Sequence, residues 1–267
     1  MRPLARLLTV LAVFLLCPAF PAMADFKKGM AAYEAGDYTT ALKEWRPLAE
    51  QGNTDAQYGL GLIYDSGKGV AQDNAEAARW YRKAAELGLA SAQSNLGVLY
   101  ANGQGVKQDH TEAARWYRRA AEQEYAMAQF NLGVLYAKGE GVKQNYAEAV
   151  HWYRRAAERG GDADAQLNLA LLYAKGQGVP QSYAKAARYY RMAAEQGDAD
   201  SQSSLGFLYA NGQGVTQDYI QAHLWLSLAA TQGDKSAAKE RDLLARKMTK
   251  AQIAKAQKLA RGWKPQK

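Results

Sequence analysis

The chain has 267 residues, 48% of them hydrophobic, with a formal net charge of +8 and one cysteine, Cys17. One thiol excludes an internal disulfide framework. Beyond the amino terminus no run approaches the roughly 18 apolar residues that a membrane span needs, so no membrane-spanning helix is expected there.

Residues 1–24 carry Arg2 and Arg6, the apolar run Leu7 to Leu16, Pro18, Pro21 and then Ala22-Met23-Ala24 before Asp25. This order predicts a secretory signal peptide cleaved after Ala24. Cys17 follows Leu16 and precedes Pro18, a context that argues against lipid anchoring, and cleavage removes it. The mature chain, 25–267, then holds thirty-two basic and twenty-six acidic residues. The balance is uneven: 234–267 has eleven basic residues against Asp234, Glu240 and Asp242, while 25–233 is close to neutral.

Residues 25–52, with Tyr33, Gly36-Asp37-Tyr38, Ala41 and Trp45, predict a degenerate first helix pair whose second helix is kinked or ended early by Pro47. From 53 to 233 the chain repeats five times. Gly or Ala stands at 61, 97, 133, 170 and 206, and Trp or Tyr at 80, 116, 152, 189 and 225, in steps of 36, 36, 37 and 36 residues. A fixed period of this size means stacked supersecondary units and predicts a solenoid.

Within one unit, Ala92, Leu96, Leu99 and Tyr100 lie on one helical face and define helix A, over 91–101. Gly103 and Gly105 stop it, as do the equivalent pairs 67/69, 139/141, 176/178 and 212/214. Asp109 then opens helix B as an N-cap, with Asp73, Asn145, Ser182 and Asp218 in the equivalent places. Helix B carries Ala113, Trp116, Tyr117, Ala120 and Ala121, a face that only stacking can bury. A glycine inside helix A costs about 1 kcal/mol relative to alanine. Gly97 and its equivalents therefore predict a close helix crossing, and a large side chain at Gly133 should open the stack. On helix B, Arg79, Arg115 and Arg188 recur, as do Arg82, Arg118, Arg154 and Arg191, each of the latter four residues before Glu86, Glu122, Glu158 or Glu195. The spacing predicts solvated i, i+4 ion pairs. After Gly233 the period is lost. Asp234 and the Thr249/Gln252 capping box predict two further helices that form a basic cap over 234–267.

The A-x-x-x-L-G-x-x-Y stretch (Ala92, Leu96, Gly97, Tyr100), the G-x-G-V turn (Gly103, Gly105, Val106) and the A-x-x-W-Y-x-x-A-A stretch (Ala113, Trp116, Tyr117, Ala120, Ala121) resemble the SEL-one-like repeat family. The match spans about 53–233 and departs from the pattern at Gly59, Ala170, Tyr189 and Leu226. The resemblance implies an all-α fold, an α/α right-handed superhelical solenoid of tetratricopeptide-like repeats serving as a protein-binding scaffold in the bacterial cell envelope. With the signal peptide, it leads to the expectation of secretion across the inner membrane into the periplasm.

No catalytic constellation is legible. Gly-x-Gly follows a helix here, whereas phosphate loops follow a strand. His110, His151 and His223 occupy three different repeat positions, with no i, i+4 partner histidine, so no metal and no cofactor is expected. Cysteine-rich relatives have been linked to β-lactam binding or hydrolysis, but their repeat disulfides are missing, which leaves a hydrolase as the weakest of three readings. In the second, the basic cap holds peptidoglycan or another envelope glycan; export makes nucleic acid a poor partner. The favoured reading is a protein partner held on the helix-A stripe, which lines the concave side of such superhelices. The stripe comprises Asn95, Val98 and Asn102; Asn131, Val134 and Lys138; Asn168, Leu171 and Lys175; and Ser204, Phe207 and Asn211. Its amides could bond an extended peptide while the apolar residues meet side chains. Alternatively, Asn95, Asn131 and Asn168 bond neighbouring repeats.

Overall fold

A computed structural model describes residues 25–159 and 161–266, so the signal segment and Cys17 lie outside the described residues. Among the described residues there are fourteen helices and no strand. They are α1 (Phe26–Glu34), α2 (Tyr38–Glu50), α3 (Thr54–Ser66), α4 (Asn74–Glu86), α5 (Ala90–Asn102), α6 (His110–Glu122), α7 (Ala126–Lys138), α8 (Tyr146–Arg159), α9 (Ala163–Lys175), α10 (Tyr183–Glu195), α11 (Ala199–Asn211), α12 (Tyr219–Thr231), α13 (Lys235–Ala245) and α14 (Lys250–Gly262). Each helix packs on its chain neighbours, the pattern of a solenoid, until α14 turns back to lie on α12. None is long and apolar enough to cross a membrane.

Helix A of the five repeats is α3, α5, α7, α9 and α11, and helix B is the even-numbered partner that follows. All five predicted N-caps of helix B form. Asp109 Oδ1, for example, accepts from the N–H groups of Thr111 and Glu112, at 2.9 and 3.0 Å, and Asn145 does the same for Ala147 and Glu148. The step of 37 residues is absorbed by α8, which has fourteen residues where the other repeat helices have thirteen.

The two glycines of each turn do different work. Gly103 takes the left-handed conformation, φ 68°, that ends α5. Gly105 is needed for contact as well: a Cβ there would lie 2.1 Å from the carbonyl carbon of Asn74, at the start of the preceding helix B. Gly141, Gly178 and Gly214 meet the preceding helix B in the same way. The close crossing expected at Gly97 is also present, and it lies within one repeat, since a Cβ there would be 2.7 Å from the ring of Tyr117. Gly133 faces Tyr153 equivalently.

The core is a series of five clusters of buried alanine, leucine and aromatic side chains, neighbours sharing the partly buried Tyr64, Tyr100, Tyr136 and Tyr209, with Trp45, Trp80 and Trp116 almost fully enclosed. Two expectations need correction. Pro47 does not end its helix, because α2 runs on to Glu50 and Gln51 N–H still bonds Pro47 O. The loss of one amide in a last turn is tolerable, since the enclosed Trp45 holds the helix on the core. The expected Arg82–Glu86 pair and its equivalents do not form among the described residues. Those arginines reach tyrosines of the next unit instead.

Candidate functional site

The helix-A stripe is placed by the same packing that buries Ala92, Leu96 and Leu99. One turn away from these, Asn95, Val98, Asn131, Val134, Asn168, Leu171, Ser204 and Phe207 are half-buried, while Asn102, Lys138, Lys175 and Asn211 are exposed at the carboxyl end of each helix A. The apolar members are partly committed to the core: Val98, Val134, Leu171 and Phe207 all pack against its clusters. The amides differ from row to row. Asn168 Nδ2 donates to Asp164 O of its own helix at 2.8 Å, and Asn211 to Phe207 O at 2.9 Å. The Asn131 side chain makes no hydrogen bond among the described residues. Asn95 faces the Tyr58 and Tyr81 hydroxyls of the preceding repeat, and Ser204 faces that of Tyr190. Lys138 has Glu140 within 3.9 Å.

The stronger inter-repeat bonds come from residues that the sequence pattern had left without a role. Gln93 is buried and donates to Ala85 O of the preceding helix B at 3.0 Å, as Gln57, Gln129, Gln166 and Gln202 do to Ala49, Ala121, Ala157 and Ala194. The Gln93 Oε1 atom accepts from Gln123 at 2.8 Å, and Gln166 and Gln202 receive the same bond from Gln196 and Gln232. At the two remaining junctions the donor position holds Leu87 and Arg159, and Gln57 Oε1 and Gln129 Oε1 are buried without a partner. The signal was present: an Ala-Gln or Ser-Gln pair stands near the start of every helix A.

A second bridge joins each helix B to the next helix A. Arg118 donates to the Tyr136 hydroxyl at 2.7 Å, and Arg154 to Tyr173 at 2.7 Å; Arg46, Arg82 and Arg191 meet Tyr64, Tyr100 and Tyr209. The guanidinium of Arg118 also lies over the Tyr136 ring. Arg79 and Arg115 pair instead with Glu76 and Glu112, one turn earlier on their own helices. Beside the Arg–Tyr bridges, two equivalent clefts open, of about 640 Å³ next to Arg118, Tyr136 and Gln144 and about 630 Å³ next to Arg191, Tyr209 and Gln217. Neither cleft is lined by a stripe residue.

Hydrogen bonds set some titratable groups, such as Glu44, held low first by its bond from Lys28, and burial sets the tyrosines. Burial pushes the Tyr117 and Tyr153 phenols up, so they stay neutral. Tyr189 is pushed up to about 12, first by burial and then by its bond to Glu158, 2.6 Å away. No cluster of three or more histidine, cysteine or acidic residues that could hold a metal ion is present among the described residues.

Comparison with known proteins places this geometry. The family model described as Sel1 repeat matches residues 54–89, 90–125, 126–161, 163–198 and 199–234. The crystal structure of c5321, a protective antigen present in uropathogenic Escherichia coli strains displaying an SLR fold, is similar at 38% identity and a TM-score of 0.81, covering 88% of this chain and 52% of its own. The present chain thus spans about half the length of that relative. A Sel1 repeat protein from Oxalobacter formigenes is similar at 40% identity and a TM-score of 0.75, with 80% of this chain and 88% of its own covered. The search of curated proteins found no match.

Proposed function

Because the chain belongs to the Sel1 repeat family, whose members typically mediate protein–protein interaction and are generally not catalytic, we propose that it is an exported, non-catalytic adaptor of the cell envelope. It works in the periplasm and holds a protein partner along the helix-A stripe. The observation that carries this reading is the row of half-buried side chains from Asn95 to Phe207, in which Asn131 and Asn168 make no bond to a neighbouring repeat. The Asn131 amide and the Asn168 Oδ1 are left to meet a peptide backbone, while Val134 and Leu171 present apolar edges beside them. Export is supported by the signal pattern and by Asp25, whose N–H lies 3.1 Å from Glu44 Oε2. Cleavage after Ala24 would set the new terminal ammonium on that carboxylate.

The test is affinity capture from an envelope extract with residues 25–267 and with an Asn131→Ala, Asn168→Ala variant. The substitutions break no inter-repeat bond, so the variant should match the circular dichroism of the parent. A protein retained by the parent and lost by the folded variant is expected. Retention of the same proteins by both overturns the groove, and sedimentation with peptidoglycan alone moves the function to an envelope glycan.

A further inference from the structure

The carboxy-terminal cap has a composition found nowhere else in the molecule. After Asp242 there is no acidic residue, while Arg246, Lys247, Lys250, Lys255, Lys258, Arg261, Lys264 and Lys267 follow. Those from Arg246 to Lys264 form no ion pair among the described residues. On α14 the charge sits beside apolar surface. Leu224, Lys255, Lys258, Leu259, Gly262 and Trp263 line an open cleft of about 500 Å³. Leu259 is 41% exposed at its edge, and Leu243 on α13 is exposed to the same degree.

α14 is held in place. Its capping box is complete, Trp263 meets Trp225 edge to face with ring centroids 6.3 Å apart, and Gln266 N–H donates to Glu195 O at 2.7 Å. The cleft and its lysines are therefore a fixed surface of the solenoid. Fixed cations around an apolar floor suit an amphiphile that is anionic at its head and hydrocarbon just beneath. A glycan would meet the charge but leave Leu259 and the cleft floor unmatched.

We propose that this cap docks the protein on an anionic phospholipid surface. Lys255 and Lys258 engage the head groups while the exposed Leu259 enters the boundary between head groups and chains, over the cleft that Trp263 helps to line. Because α14 is fixed, such docking would also set the direction in which the repeat array leaves the membrane. The inference is independent of the helix-A groove.

The test is co-sedimentation of residues 25–267 with vesicles of phosphatidylcholine alone and of phosphatidylcholine mixed with phosphatidylglycerol. Binding to the mixed vesicles only is expected, and it should weaken as salt is raised. Lys255→Ala with Lys258→Ala should lower the partition coefficient about twenty-five-fold, at about fivefold per cation. The matching pair of arginine substitutions should keep it, and Leu259→Ser should lower it without removing the salt dependence. All of these positions are exposed, so thermal melts of the variants should match the parent. No sedimentation with the mixed vesicles, equal sedimentation with neutral vesicles, or binding unchanged in all variants overturns the proposal. So does retention on isolated peptidoglycan in place of vesicles.

Discussion

The second repeat buries twelve residues of α5 and α6, among them Leu96, Trp116 and Tyr117, whereas α13 and α14 together bury only Ala237, Leu244 and Ala256. In the array, apolar faces, glycine contacts and Arg–Tyr bridges recur with the repeat, and the junctions differ mainly in whether the second glutamine is present. The cap ends that stack and leaves cations and leucines facing out. Cohesion in a solenoid accumulates from units and the interfaces between neighbours. Surface that is not needed for cohesion is concentrated at the end, where substitutions are free to follow other demands.

The largest expected effect tests whether backbone contact is what fixes the junctions. Gly141→Val would place a branched side chain at φ 67°, with its Cβ about 2.2 Å from the backbone of His110. Left-handed strain and overpacking together should cost about 4 kcal/mol. Because the damage lies between two units, thermal unfolding followed by circular dichroism should also divide into two transitions. An unchanged single transition would mean that the junction yields easily. A smaller loss, about 1 kcal/mol, is expected for Tyr136→Phe, which removes the acceptor for Arg118 and leaves the ring in place. Urea denaturation should show it as a shifted midpoint with the slope unchanged.

The glutamine bridges differ among themselves and offer a gain. Leu87 is 59% exposed and stands where Gln123, Gln196 and Gln232 donate in other repeats, while Gln57 Oε1 is buried and unpaired. Leu87→Gln should supply that bond and stabilise by about 0.5 kcal/mol, seen as a rise in Tm. A fall would mean that Leu87 contributes more through packing than its exposure suggests.

Much of the fold was legible because its determinants are local. A left-handed glycine such as Gly103 and a cap such as Asp109 act within a few residues, and five recurrences removed the ambiguity of any one. The glutamines were visible, but Gln93 bonds a backbone carbonyl, Ala85 O, and a carbonyl leaves no mark in the sequence. Arg118 was misassigned because Glu122 lies four residues away, while the tyrosine it reaches is eighteen residues off on another unit. Spacing favours the near partner, and only packing reveals the far one. On the stripe, identical letters proved unequal: Asn95 faces tyrosines of the preceding repeat while Asn168 bonds its own helix. The return of the tail over α12 rests on Trp263 and Gln266, residues outside any period.

The smallest effect concerns the seam between array and cap. His223 on α12 is buried, its Nδ1 3.2 Å from Ser227 Oγ, and it faces Arg241 and Asp242 of α13. Burial first, and the Arg241 charge second, hold its pKa below the ordinary histidine value, with Asp242 opposing. The folded chain therefore keeps His223 neutral at a pH where the unfolded chain has already taken up a proton. Stability from this site is complete above the unfolded pKa, near 6.5, and declines as the pH falls from there towards the depressed folded value. Melting residues 25–267 at about pH 7.5 and about pH 5.5 should show a lower Tm in acid, and His223→Gln should narrow the difference. Since protonation would place a second cation against Arg241, hydrogen exchange at low pH should rise first in α13 and leave α3 to α10 unaffected. An acid-induced rise spread evenly over the array would show that the seam is not where the proton acts.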